Sequence, residues 1–148
     1  MAKLTINESA GGGYTHKFAF DYVDLNTSGF LSASTTRAVG TFAPGDIIDM
    51  AALYVVTAAT GNTTGTLGFG TSTSTPIELL SSTAAMGNTT IGGVIYNTGS
   101  EFVTNAKMSA VNTTTASKTL HIQVAGTYTA QTAGSWVLAW RQLSPPRV

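Results

Sequence analysis

The stretch Asp46-Ile-Ile-Asp-Met-Ala-Ala-Leu-Tyr-Val-Val-Thr57 is apolar at both odd and even positions. An extended segment of that kind buries both faces, so it belongs in the middle of a sheet. A buried helix of the same length is the competing reading. Ile, Tyr, Val and Thr dominate the run, and turn residues bound it at Pro44-Gly45 and at Thr60-Gly-Asn-Thr-Thr-Gly65. Those features favour a strand.

Composition extends the β reading to the whole chain. Only 9% of the 148 residues are charged although 43% are hydrophobic, and about a quarter are Thr or Ser. Threonine is already stiff at its β-carbon and suits a pleated, half-buried surface. Further strands are expected at Lys17–Val23, within Phe30–Phe42, at Thr66–Thr71, Ile91–Tyr96, Glu101–Val111, Thr119–Ala125 and Ser135–Leu143. Pro76-Ile-Glu-Leu-Leu-Ser-Ser-Thr-Ala-Ala-Met86 is the one helix-like stretch, with proline at its start. Gly68 and Gly70 point to a bulge or a close backbone approach. About eight strands and one short helix describe an all-β, two-layer antiparallel sandwich, jelly-roll-like in connection. An immunoglobulin-like sandwich is the second architecture, without its Cys-Trp-Cys pattern. The organisation reads as a flexible N-terminal arm over 1–16 containing three consecutive glycines, a sandwich domain over 17–143, and a tail over 144–148.

The totals argue against most chemistry. Seven basic and seven acidic residues leave a net charge of zero, which offers no electrostatic footprint for nucleic acid or an anionic membrane. Cysteine is absent, so thiolate chemistry and disulfides are excluded. The beginning of the chain has no apolar signal-peptide core, and the expectation is a soluble chain made in a cytoplasm. Asp46 and Asp49, like Asp21 and Asp24, are three apart in expected strands and so point to opposite faces, which suits turn capping better than acid–base work. His16 and His121 lie far apart in sequence, with His121 on the outward parity of its strand. No Gly-x-Ser-x-Gly elbow occurs, and Gly68-Phe-Gly70 lacks the third glycine of a dinucleotide fingerprint. No catalytic residue, metal site, cofactor or small-molecule substrate is expected.

Aromatic residues are the better lead. Trp136, Leu138 and Trp140 share one face of the last strand. Core packing is the ordinary fate of such a face. A sugar-stacking row is the ligand alternative, and a subunit contact is a third, because Trp and Arg favour interfaces and Arg141 and Arg147 lie close by.

The segment Gly45-Asp-Ile-Ile-Asp-Met-Ala-Ala-Leu-Tyr-Val-Val-Thr-Ala-Ala-Thr-Gly-Asn-Thr-Thr-Gly-Thr-Leu-Gly-Phe-Gly-Thr71 resembles a pattern found in small all-β decoration, or cement, proteins of tailed-bacteriophage capsids. The order of the Ile77–Met86 stretch, Leu120-His-Ile-Gln-Val and Trp136-Val-Leu-Ala-Trp is similar too. The likeness covers roughly residues 40–141 and rests on patterning, so no residue role carries over. It implies homotrimers on the outside of a virion, seated on the major capsid protein, bridging capsomers and resisting the pressure of packaged DNA. An arm that orders on binding can wrap a large surface, which makes Leu4, Ile6 and Tyr14 the expected shell contacts. A phage tail-fibre or carbohydrate-binding module using Trp136 and Trp140 is the alternative, and a hydrolase is a distant third.

Overall fold

The computed structural model describes residues 3–6, 13–26, 36–61, 64–86, 94–126 and 131–145. Its longest strand grows from the two-sided apolar run. Strand β4 (Ile47–Thr60) is flanked on one side by β10 (Ala133–Leu143), and on the other by β7 (Val94–Tyr96) and β8 (Ala110–Val111). Ile48, Ala51, Leu53 and Val55 enter the main core, while Ala52 packs on the opposite face with Met50 and Tyr54. Both faces of β4 are therefore covered, as its sequence demands.

Beyond β10 lie β2 (His16–Asp21) and, at the edge, β1 (Lys3–Ile6), so one sheet runs β1-β2-β10-β4-β7 with β8 also on β4. The second sheet runs β3-β9-β5-β6, formed by Arg37–Phe42, Lys118–Ala125, Thr66–Gly70 and Leu80–Ala85. All pairings are antiparallel. With β1 and β8 set aside, chain order places strands one, eight, three and six in one sheet and two, seven, four and five in the other. That is the jelly-roll arrangement, a long antiparallel ribbon folded over on itself.

Period-two alternation sends one face of each strand inward. Phe18 and Phe20, Trp136, Leu138 and Trp140 meet Leu120, Ile122, Val124, Leu67 and Phe69 from the other sheet. Across β2 and β10 the register sets Trp136 opposite Phe20 and Leu138 opposite Phe18. The Trp136 and Phe20 rings stack at 5.5 Å, and Trp140 reaches Phe69 of the opposing sheet at 5.1 Å. Both indoles are fully buried, with Trp136 Nε1 donating to the Met86 carbonyl at 3.0 Å and Trp140 Nε1 to Gln142 Oε1 at 3.2 Å. Satisfying the N–H is what makes a buried tryptophan affordable.

Several local expectations need correction. Residues 76–86 are not helical: Pro76 to Leu79 cross the outer face of β5, and Leu80–Ala85 pairs with it as β6. Pairing with a sheet edge overrides a weak helical pattern, and Leu79, Leu80 and Met86 are buried all the same. The helix stands instead at Tyr22–Asn26 (α1). Asp21 Oδ1 accepts from the Val23 and Asp24 N–H groups, and Asp24 Oδ2 accepts from Asp21 N. This reciprocal capping box brings together two carboxylates that an extended reading had sent to opposite faces. Glu101–Val111 forms turns except for the short β8, and the strand expected within Phe30–Phe42 is described from Arg37. Residues 91–93, of the strand expected at Ile91–Tyr96, lie outside the described residues. Within the segment read as an arm, Lys3–Ile6 pairs with β2.

The glycines of β5 mark a close approach. A Cβ on Gly68 would stand 2.5 Å from the Pro76 carbonyl oxygen, and one on Gly70 2.9 Å from the Glu78 nitrogen. The crossing segment lies directly on the strand, so neither position has room for a side chain.

Candidate interaction surface

The two outward sheet faces differ in chemistry. On the β3-β9-β5 side Thr41, Thr119, His121 and Gln123 alternate with the core residues. On the β2-β10-β4 side the outward residues are Ala19, Val137, Ala139, Met50, Ala52, Tyr54 and Val56. Tyr14, just ahead of β2, is held by the Thr15 N–H donating to the Trp140 carbonyl at 3.0 Å. Its ring meets Tyr54 edge-on at 5.8 Å, and the two close over Ala52 and Ala139. Burial, then the hydrogen bond with Tyr54, pushes the Tyr14 phenol well above its ordinary range. Tyr14 is thus buried within its own chain rather than offered outward.

Arg141, on the outward parity of β10, clamps Asp49 of β4 with two bonds, Nε to Oδ1 at 2.7 Å and Nη2 to Oδ2 at 2.5 Å. The guanidinium beside it holds the Asp49 carboxyl below its usual range. Leu4 and Ile6 stand on β1 opposite Phe18 and His16. Arg147 lies outside the described residues. The side chains of Leu4 and Ile6 also lie outside the described residues, and Tyr14 and Arg141 are near neighbours, the guanidinium acting on the Tyr14 phenol. Trp136 and Trp140 are core, so the sugar-stacking row read from their spacing does not form.

Asp46 and His16 tie elements of the fold together. Asp46, buried at the foot of β4, accepts from Ala43 N, Gln142 Nε2 and Ser144 Oγ. His16 stacks on Trp140 at 5.1 Å with Nδ1 2.8 Å from Thr15 Oγ1, and burial holds it below its usual pKa. His121 is in the other sheet. No group of three potential metal ligands occurs among the described residues. A cavity of about 410 Å³ at one end of the sandwich includes Phe42, Leu79, Glu78, Glu101, Lys107 and Lys118 in its wall. Its carboxylates are engaged: Glu78 accepts from Thr71 N, Thr71 Oγ1 and Ile77 N, and Glu101 binds Lys107 and Asn105.

Two surface features were not legible in the sequence. The first is a groove of about 200 Å³ on the outward face of the β2-β10-β4 sheet, lined by Ala19, Phe20, Val56, Trp136 and Val137, with Asp21, Asp24 and Ser135 at its rim. It forms where β10 breaks register against β4, between Ala133 and Trp136. The extra residues are on β4, Val56 standing between the two paired residues Val55 and Thr57, and such a bulge twists the strand and opens the face; on β10, Gly134 takes φ of 133°. The second is the Gly99–Met108 loop. The Phe102 and Val103 N–H groups donate to the Gly99 carbonyl and Thr104 N to the Ser100 carbonyl. Glu101 staples the turn through Lys107 Nζ at 2.8 Å and Asn105 Nδ2 at 3.1 Å. The staple presents Val103 at 65% and Met108 at 91% exposure.

No family model matches the chain, and no curated protein matches it. Among solved structures it is similar to a chain from the capsid of Ralstonia phage GP4, with a TM-score of 0.51 and 18% identity over 98% of this chain and 93% of that one. At that identity the likeness is one of fold, and it runs nearly end to end in both chains.

Proposed function

We propose that this protein is a structural component of a bacteriophage virion, a homotrimer that decorates the outside of the capsid and stabilises it by bridging capsomers of the major capsid protein. The observation that carries the reading is the fold likeness, over nearly the full length of both chains, to a chain from a phage capsid. The same function is implied by the decoration-protein pattern at residues 45–71. The chemistry of the surface agrees with it. A neutral, hydroxyl-rich exterior lets many copies crowd on a shell without like-charge repulsion. The carboxylates of the larger cavity anchor loops, which supports a non-enzymatic role. With Trp136 and Trp140 in the core, the carbohydrate-binding alternative loses the residues on which it rested. Synthesis in the host cytoplasm and a final place on the virion exterior follow from this reading.

The test is addition of purified protein to capsid particles that lack it, followed by sedimentation and measurement of particle stability to heat. Saturable binding that raises the temperature of capsid disruption is expected. Deleting residues 2–13 removes β1, with Leu4 and Ile6, while leaving the β10–β4 seam untouched; it should reduce particle binding with the circular dichroism preserved. Failure of the intact protein to bind any such shell would overturn the proposal.

A further inference from the structure

Sulfur in this chain is confined to methionine, since cysteine is absent. The fold sorts the described methionines by their access to water. Met86 has no exposure at all: its side chain is in the main core, its N–H donates to the Gly65 carbonyl at 2.8 Å and its carbonyl accepts from Trp136 Nε1. Met50 is partly buried on the outward face of β4, packed against the cluster of Tyr14, Ala52 and Ala139. Met108 is 91% exposed, the most open of the large apolar side chains among the described residues. From this ordering we infer that Met108 is an oxidation site, a thioether that takes a two-electron oxidant of the peroxide class ahead of the methionines held inside the fold.

Thioether oxidation needs direct approach of the oxidant to sulfur. A sulfur lone pair attacks one oxygen of hydrogen peroxide, and an S–O bond forms as the O–O bond breaks. The departing hydroxide collects the proton of the transferred hydroxyl and leaves as water. Sulfur loses two electrons, the peroxide gains them, and the product is methionine sulfoxide. At Met108 nothing has to move for that approach. Residues 103–108 are exposed without a break, and Glu101 holds the turn through Lys107 and Asn105. At Met86 sulfur is reached only when the core opens, and the open population of a domain is about 10⁻³–10⁻⁶. The consequences differ in the same order. A sulfoxide turns a flexible apolar side chain into a polar one. At Met86 the new oxygen would lie unpaired among apolar side chains, which is costly. At Met108 it is hydrated, so the fold is kept while the tip of the Gly99–Met108 turn changes from apolar to polar. Neither the capsid reading nor the homotrimer is needed for this outcome.

The full-length protein is treated with hydrogen peroxide for a series of times, quenched and digested, and the oxidised fraction of each methionine peptide is read by mass spectrometry. Met108 should oxidise at least about tenfold faster than Met50 and more than about 100-fold faster than Met86. In urea, with the chain unfolded, the three rates should converge, because the fold alone sets their order. Met108→Leu should remove the fast site and leave the rates at Met50 and Met86 unaltered. Protein oxidised at Met108 alone should keep its circular dichroism and melting temperature, and a methionine sulfoxide reductase should restore the thioether. Oxidation of Met50 or Met86 as fast as that of Met108 in the folded protein overturns the inference. So does a Met108 rate about tenfold below its own rate in urea, because the side chain is then covered. A melting temperature lowered by oxidation at Met108 alone also overturns it, since the sulfoxide would then be disturbing packed structure.

Discussion

Replacing Trp136 by alanine separates a core tryptophan from a ligand-stacking one more sharply than any other change. The indole is fully buried, stacks on Phe20 at 5.5 Å and donates to the Met86 carbonyl at 3.0 Å. Removing an aromatic side chain of roughly 150–250 Å² at about 25 cal/mol per Å² forfeits about 4–6 kcal/mol of transfer free energy. Measured aromatic-to-alanine changes in cores run at about 3–5 kcal/mol, because the site partly collapses. Loss of the Met86 partner adds about 1 kcal/mol unless water reaches the carbonyl. A net destabilisation of about 4 kcal/mol is therefore expected, a large share of the roughly 5–15 kcal/mol that holds a domain together. Urea unfolding followed by far-ultraviolet circular dichroism, at fixed protein concentration, reads this directly. Because the alanine variant is near the limit of folding, Trp136→Phe is the companion. It keeps the ring contact, loses the hydrogen bond and some volume, and should cost about 1–3 kcal/mol. A loss under about 1 kcal/mol for Trp136→Ala would refute the packing argument, because surface substitutions have effects of that size.

Two further outcomes follow from local geometry. Gly99→Ala would place a Cβ 2.2 Å from the Glu78 carbonyl oxygen and 2.3 Å from the Leu79 carbonyl carbon. Both are backbone atoms, so a stability loss of about 1–3 kcal/mol is expected in thermal unfolding, and an unchanged melting temperature would contradict the close approach. Burial lowers the His16 pKa below its ordinary 6.5 in the folded state, so the unfolded chain takes up the proton first. The contribution of His16 is complete above that value and is lost as pH falls from it through the lowered folded pKa. His16→Gln should flatten stability over that interval, and an unaltered pH profile would exclude His16 as the source.

Much of the architecture was legible because its signals are short-range. The alternation of Leu120, Ile122 and Val124, and of Trp136, Leu138 and Trp140, specifies which side of each strand is buried whatever its neighbours are. The two-sided run from Ile47 likewise required a central strand. Where local signals conflict with pairing, the reading failed. Leu79, Leu80 and Met86 fit a helical spacing, yet the open edge of β5 drew Leu80–Ala85 into the sheet. Tyr22 continued the alternation of Phe18 and Phe20, but capping by Asp21 turned the chain into α1. Glu101–Val111 looked extended, and the side chains of Glu101, Asn105 and Lys107 closed it into a turn.

The surface followed a different logic. Asp49 and Arg141 are 92 positions apart, and only the register of β10 against β4 makes them a bidentate pair. Tyr14 belongs to the segment expected to be an arm, and its ring packs on Tyr54 over Ala52 and Ala139. The apolar groove exists because β4 bulges at Val56, the extra residue between the Ser135–Thr57 and Trp136–Val55 pairs. By itself, then, the sequence determined the β class, the inward face of each strand and the poverty of charge, since period-two patterning and composition are properties of neighbouring residues. The strand order, the burial of Tyr14 and the groove beside Val56 were decided by tertiary structure, because each depends on which distant strands meet and in what register.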